Sequence, residues 1–383
     1  MRGPPRSPIP APVSPVAAAP PRSWISGPLL AIVARVADRS AENRELLTRL
    51  LEQVSRSFYL TLRVLPRAIR PQIGLAYLLA RTTDTIADTE IVPAGQRLDA
   101  LQKLRERILG QSSAPLDFGG LAGRQSLSAE KLLLEKVEDA LALLSELSPP
   151  DLRLVREVLV TITSGQELDL RRFAGASAAG IVALETAAEL EDYTYRVAGC
   201  VGEFWTKMCR AHLFPGARLD DRQFLADGIR FGQGLQLVNI LRDLPADLKM
   251  GRCYLPREKL ESARLLPGNL LAPANAEKFL PLFHQYLGRA EAHLAAGWRY
   301  TNTLPYGQFR VRLACAWPVL IGLRTIEKLR AADVGGLAAR VKVSRGEVRG
   351  ILFRSLAASP MPPVWRNLYS PAAKAVDSGA ELA

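Results

Sequence analysis

The chain has 383 residues, of which 50 are basic and 38 acidic, and the net charge of +12 suits an anionic partner: nucleic acid, an anionic membrane or a phosphorylated substrate. Hydrophobic residues make up 48% but aromatics only 7%, so the core is Leu, Ala, Val and Ile, and with abundant Arg and Glu this favours helix over strand. There is no zinc-finger spacing or aromatic-interleaved basic ribbon, which counts against nucleic acid, and no apolar run reaches the roughly 18 residues of a membrane span.

Residues 1–28 are rich in Pro, Ala and Ser, with Arg2, Arg6 and Arg22 and no acid. Such a segment cannot pack a core and reads as a disordered tail. It lacks the apolar centre of a secretory signal. Residues 29–358 read as one all-α catalytic domain, and 359–383 as a second, flexible tail. Cys200, Cys209, Cys253 and Cys315 have no metal-like spacing and read as buried free thiols of a reducing, cytoplasmic compartment.

Helical spacing runs from Pro28 to Leu65 and includes S-R-S-F, Ser55 to Phe58. Pro66 and Pro71 bracket a turn into the helix that organises the chain, Y-L-L-A-R-T-T-D-T-I-A-D, Tyr77 to Asp88. Asp84 and Asp88 lie one turn apart on one face, preceded by Arg81 and Tyr77, while Ile73, Leu75, Leu78 and Leu79 point the other way. Like charges a turn apart repel each other, and more so if they face an interior. A solvated face is one explanation; Mg²⁺, which binds one or two carboxylates plus substrate phosphates, is the other.

Helices are expected near 96–109, 128–147 and 151–172, with a Gly/Ser/Pro loop at 111–127. The last contains G-Q-E-L-D, Gly165 to Asp169, where a mid-helix glycine suggests a close backbone approach. A long helical pattern then runs to His212 and holds Y-T-Y-R-V-A-G-C-V-G, Tyr193 to Gly202. Its strip of Ala198, Gly199 and Gly202 fits close helix packing, or a flat wall for an apolar ligand with a tyrosine hydroxyl at its mouth.

A second polar stripe, Gln236, Asn239, Asp243 and Asp247, repeats at steps of three, four and four, with Arg242 beside it. Pro245 cannot donate to the carbonyl of Leu241, so a kink or a helix end is expected there and Asp247 is less securely placed than Asp88. G-R-C-Y-L-P, Gly251 to Pro256, leaves Arg252 and Tyr254 near the stripe. Helices near 274–300 and 308–331 and a basic segment, Lys342 to Arg349, follow.

Two Asp-bearing helices facing each other across an apolar, aromatic-lined cavity form an electronegative rim, which Mg²⁺ would turn into a diphosphate clamp. Arg81, Arg242 and Arg252 would neutralise the remaining charge. The arrangement suits ionisation of an allylic diphosphate in a dry cavity.

These stretches resemble the squalene/phytoene synthase family of head-to-head prenyl transferases. The matches are S-R-S-F at 55–58, R-T-T-D-T-I-A-D at 81–88, Y-T-Y-R-V-A-G-C-V-G at 193–202 and L-Q-L-V-N-I-L-R-D-L-P-A-D with G-R-C-Y-L-P at 235–256, with a weaker K-V-S-R at 342–345. They stand in the family's order over residues 45–350. The resemblance implies an isoprenoid-synthase helical bundle around a central cavity. Asp84, Asp88, Asn239, Asp243 and Asp247 would hold Mg²⁺. Ser55, Phe58, Arg81, Gln236, Asn239, Arg242, Arg252 and Tyr254 would contact substrate, and Tyr193 would lie near the reacting carbons. It further implies farnesyl diphosphate as substrate, presqualene diphosphate as intermediate, and squalene formed with hydride from NADPH. The alternatives are phytoene, dehydrosqualene or hydroxysqualene without reduction, or a non-catalytic assembly factor of the same fold.

No Gly-rich dinucleotide fingerprint is present, so NADPH rests on the resemblance alone, with Lys342 and Arg345 as candidates for its phosphates. The family's usual residues differ at Pro245 and at Gln166, where many members have Met. The C-terminal membrane helix of eukaryotic squalene synthases is not seen, so the chain resembles a bacterial-type enzyme. A basic surface and an apolar product leave room for a peripheral membrane contact.

Overall fold

The computed structural model describes residues 48–55, 58–339 and 341–369, with the side chains of 58–60 excepted. The tail expected at 1–28 and the residues after 369 lie outside these. Residues 48–55 (α1) and Phe58–Val64 (α2) lead to α3, Arg70–Asp88, which has Pro71 in its first turn, where a missing N–H costs nothing. Then come α4 (Ala94–Leu109), the short α5 (Gly119–Ala122), α6 (Ser128–Glu135), α7 (Val137–Ser145) and the long α8 (Pro149–Arg172). The helix expected over 128–147 is thus two, broken at Lys136, and the 111–127 loop contains one helical turn.

The pattern from 174 to His212 is more varied than one helix. A two-residue strand β1 (Val182–Ala183) precedes α9 (Ala187–Thr194), a π-helical turn at Tyr195–Gly199, and α10 (Cys200–His212). The Cys200 N–H donates to the Tyr195 carbonyl, which inserts the extra residue of a π turn. Helix α11 (Asp221–Lys249) follows, then strand β2 (Arg252–Cys253), α12 (Arg257–Ser262), α13 (Ala276–Thr303), α14 (Phe309–Arg330), α15 (Val334–Ala338), α16 (Arg345–Ala358) and α17 (Pro362–Arg366). The all-α reading holds apart from the β1–β2 pair.

Helix α11 is the central rod. It packs along α13 and against α10, α14 and the π turn, while α3 packs on α8, α4, α7 and α6. Helix α8 also touches α10 and the π turn, and so joins the two groups. The small-residue strip is a packing seam. A Cβ on Gly202 would lie 1.9 Å from the Gly228 carbonyl oxygen, and one on Gly232 2.1 Å from that of Ala198. Glycine lets α10 and the π turn touch the α11 backbone; the strip is not an exposed wall.

Pro245 does not end its helix. The segment stays helical to Lys249, with Leu244, Pro245 and Leu248 all buried. One missing hydrogen bond is outweighed where both flanking turns are already fixed by packing. The C-terminal segment also departs from a tail beginning at 359. Trp365 is 2% exposed, stacks on Trp298 with ring centroids 5.5 Å apart, and donates its indole N–H to Asn302 Oδ1 at 3.0 Å. All four cysteines are buried and free.

Candidate active site

Helix α3 brings Asp84 and Asp88 to its inner end by burying Leu78, Leu79, Thr82, Ile86 and their neighbours on the opposite side. Arg81 lies between two acids: its guanidinium is 3.7 Å from Asp84 Oδ2 and 2.7 Å from Glu130 Oε1. Gln166 on α8 donates its side-chain amide to Asp84 Oδ1. On α11, Arg242 forks onto Asp243, with Nε 3.1 Å from Oδ1, and the Asn239 amide reaches Gln236 Oε1 at 3.5 Å.

The β1–β2 pair fixes the third contributor. Val182 aligns with Arg252 and Ala183 with Cys253 in parallel, and the Val182 N–H donates to the Gly251 carbonyl at 2.9 Å. The chain turns out of α11 at Gly251, whose φ of 79° is open to glycine at little cost. Arg252 then meets Glu90 at 2.7 Å, and the Tyr254 hydroxyl donates to Asp169 Oδ2 at 2.6 Å. The Tyr254 ring stacks on Tyr193, centroids 4.7 Å apart and 22° from parallel, and its edge meets Phe173.

These groups line two cavities, of about 520 and 480 Å³. Both are bounded by Asp88, Glu90, Tyr193, Gln236, Arg252 and Tyr254. The larger adds Asp84, Gln166, Asp169 and Arg97, with Leu170, Phe173 and Val197 as apolar wall; the other adds Asn239, Asp243 and Asp247. The two stripes therefore meet at shared walls. Those walls mix charged and apolar groups, in place of the greasy pocket under an acidic rim that the sequence suggests.

Burial raises four of the cavity's carboxyls. Asp84 is pushed up to about 7 by desolvation and then by Asp88, against the pull of Arg81 and Gln166. Its side chain is 47% exposed, but the exposed part faces the cavity, so protein still surrounds it. Desolvation, then Asp243, lifts Asp247 to about 7, and desolvation lifts Asp169 to about 6. Asp88 is raised more gently, because Arg81 and Arg252 oppose its burial. Burial also pushes the Tyr193 and Tyr254 phenols well above their ordinary value, so both stay neutral at physiological pH.

A model of the squalene/phytoene synthase family matches residues 51–347. The chain belongs to the squalene/phytoene synthase family. It is 29% identical over 259 residues to a presqualene diphosphate synthase of Zymomonas mobilis, covering 66% of this chain and 74% of that protein. It is 26% identical over 313 residues to a squalene synthase of Schizosaccharomyces pombe (80% of this chain, 64% of that one). Identity to a bifunctional lycopene cyclase/phytoene synthase of Blakeslea trispora is 28%, over 71% of this chain but only 43% of that protein, so the chain spans less than half of that relative. Among solved structures, TcSQS in complex with a ligand superposes with a TM-score of 0.69 at 21% identity, covering 85% of this chain and 90% of that one. A dehydrosqualene synthase gives 0.59 at 20% identity, covering 84% and 97%. At these identities the likeness is one of fold.

Within this squalene/phytoene synthase fold, Asp84, Asp88, Tyr193, Gln236, Asn239, Asp243, Asp247, Arg252 and Tyr254 come together on the cavity walls, and Arg81 and Arg242 each pair with one of its aspartates. Ser55 does not join them; it is buried in α1 and its hydroxyl donates to the Leu51 carbonyl. The Phe58 side chain lies outside the described residues. Lys342 and Arg345 are exposed near the start of α16 and line neither cavity.

The sequence does not assign Asp169, Glu90 or Arg97 to the site, and it marks Gln166 only as a departure from the family's usual Met. The one signal was Gly165. A Cβ there would come within 2.9 Å of Arg196 Cβ and 3.1 Å of Val197, so the π turn presses against α8 just before Asp169. Arg97 is 8% exposed and donates to the Ala87 carbonyl, capping the end of α3 that carries Asp88.

Proposed function

We propose that this chain is a prenyltransferase that joins two farnesyl diphosphates head to head, through presqualene diphosphate, to squalene. The observation that carries this reading is the shared wall. Carboxylates about 155 residues apart, on α3 and α11, border one cavity together with Arg252 and a neutral tyrosine pair.

The donor set fits Mg²⁺. Asp84, Asp88, Asp243 and Asp247 offer hard oxygens, as does the Asn239 side-chain carbonyl, and the raised carboxyls are under-compensated without a cation. Among the described residues no three His, Cys, Asp or Glu side chains enclose one cation unaided, so this reading requires substrate phosphates to complete the coordination. When bound, Mg²⁺ supplies Lewis-acid stabilisation of the departing diphosphate.

The chain's own groups have distinct tasks. Arg252 and Arg242 hold phosphate oxygens through forked N–H donors. Leu170, Phe173 and Val197 shield the allylic chain from water. The first half-reaction forms the cyclopropane bonds and releases one diphosphate and one proton. Tyr193, neutral and on the cavity wall, is the group assigned to receive that proton; its ring stacks on Tyr254, whose hydroxyl donates to Asp169. Asp169, lifted to about 6, is ionised yet close to balance at neutral pH, as suits a terminal proton acceptor.

The second half-reaction releases the other diphosphate. The final cation loses a proton or gains water to give the unreduced products; NADPH, if bound, would supply the hydride that gives squalene instead. Lys342 and Arg345 lie outside the cavities, so no residue is assigned to NADPH and no step is derived through it. The likeness to presqualene diphosphate synthase and phytoene synthase relatives keeps the unreduced outcome as a second reading.

The test is product analysis by mass spectrometry, with farnesyl diphosphate and Mg²⁺, with and without NADPH, and with geranylgeranyl diphosphate in parallel. Squalene only with NADPH supports the first reading. Presqualene diphosphate or an unreduced product regardless of NADPH supports the second. No diphosphate release at all points to the non-catalytic assembly factor.

A further inference from the structure

Helix α16 has two faces of unlike character. Its inner face is held down by Ile351, Ser355 and Ala358, all buried, and the Trp317 indole N–H donates to Ser355 Oγ at 2.9 Å. Its only acid, Glu347, also turns inward, 2.9 Å from both Arg324 and Lys328. The outer face is the reverse of what water favours. Phe353 is 74% exposed and Leu356 52%, and Ala357, Pro360, Met361 and Val364 continue the exposed apolar surface. Tyr306, also exposed, is tied to this segment by a hydrogen bond from its hydroxyl to the Ser359 carbonyl.

Single exposed apolar side chains are normal in soluble proteins; a run of them along one face is not. The charges nearby have one sign. Arg349 sits one turn before Phe353 on the outer face, and Arg354 and Arg366 flank it, all exposed and without an acidic partner within 4 Å among the described residues. From Val348 to Val376 the sequence has no Asp or Glu. Arg345, a candidate phosphate contact in the sequence, opens this same exposed helix. Among the described residues no helix is long and apolar enough to cross a membrane.

We propose that the outer face of α16 and the Met361–Val364 segment dock this protein on an anionic lipid surface, with Phe353, Leu356 and Met361 entering the interface and Arg349, Arg354 and Arg366 meeting the headgroups. The charge pattern selects this occupant over a second copy of the chain. A two-fold copy would set the same unpaired arginines against one another, whereas an anionic bilayer neutralises them and accepts apolar side chains at the depth of one helix. The inference is independent of which product the cavity forms.

The test is co-sedimentation of the full chain with vesicles of phosphatidylcholine alone and of phosphatidylcholine mixed with phosphatidylglycerol. The wild-type protein is expected to pellet with the anionic vesicles and to be released by high salt. Two variants, Phe353→Ser/Leu356→Ser and Arg349→Gln/Arg354→Gln/Arg366→Gln, are each expected to bind at least about tenfold more weakly. Diphosphate release and helical circular dichroism should stay unchanged in both. The proposal is overturned if wild type stays in the supernatant with both vesicle types, or if both variants bind as it does. It is also overturned if size exclusion shows a dimer that Phe353→Ser/Leu356→Ser dissociates, because the face then belongs to a second copy.

Discussion

The Tyr254 hydroxyl donates to Asp169 Oδ2 at 2.6 Å while its ring stacks on Tyr193, so two residues 85 positions apart fix the orientation of a third. Asp169 touches no reacting atom in this scheme and acts through the tyrosines. Asp169→Asn and Tyr254→Phe should each lower kcat about 10- to 100-fold, toward the low end of what positioned proton-transfer groups contribute, with KM nearly unchanged. A loss confined to KM would make the pair a wall and remove it from the proton path.

The same carboxyl makes a pH prediction. Its folded value, about 6, lies above the ordinary 3.8, so the folded protein binds that proton more tightly than the unfolded chain. The stabilisation is complete below about 3.8 and is lost as pH rises through about 6. Asp84 and Asp247 follow the same sign, with loss through about 7. Metal-free protein should therefore melt at a lower temperature at pH 8 than at pH 5.5. Mg²⁺ with inorganic diphosphate should recover the difference at pH 8. A melting temperature that rises over that interval, without metal, would contradict the burial argument.

Asp84→Asn separates function from stability at one position. It removes a charge that the cavity disfavours and keeps an acceptor for Gln166. Turnover should vanish and helical circular dichroism should persist, while the metal-free melting temperature at pH 8 should rise by a few degrees, as expected for about 1 kcal/mol in a domain of this size. Near-normal turnover in this variant would rule out the metal clamp.

Tyr193→Phe tests the role given to the buried phenol. The ring stack on Tyr254 survives the change, so only the hydroxyl is lost. Single-turnover product formation should slow more than substrate affinity falls, and an effect on affinity alone would reduce Tyr193 to a packing residue.

Both carboxylate stripes were legible in the sequence, because an i,i+4 repeat on an amphipathic helix is a local pattern. Asp169 was not, because its importance arises from a contact with Tyr254 across the fold and from the π turn that Gly165 admits beside it. Nothing local marks a π turn within Y-T-Y-R-V-A-G. The small-residue strip was ambiguous for a related reason: glycine can serve a ligand or a neighbouring helix, and only the 1.9 Å approach at Gly202 decides for the helix. Of the kink or helix end expected at Pro245, the end does not occur, because helix propensity is a local cost whereas Leu244 and Leu248 are held by tertiary burial.

Gly251 is the position where local backbone chemistry controls the site. Its φ of 79° disfavours any side chain, and a Cβ would lie 2.3 Å from the Ser177 nitrogen and 2.6 Å from its oxygen, which are backbone atoms that cannot swing aside. Its carbonyl accepts the Val182 N–H that starts the β1–β2 pair, and the next residue is the Arg252 that meets Glu90. Gly251→Ala should therefore cost at least about 1–2 kcal/mol of stability through the left-handed conformation alone. It should also lower turnover by shifting Arg252 and Tyr254 together. Gly288→Ala is the matched control. That glycine lies within α13 with nothing within 4 Å of its added Cβ, so the change should stabilise by roughly 0.5–1 kcal/mol and leave turnover alone. Thermal melts and steady-state kinetics on the two variants distinguish the cases. If Gly251→Ala melts and turns over like wild type, the turn does not set the geometry of Arg252 and Tyr254.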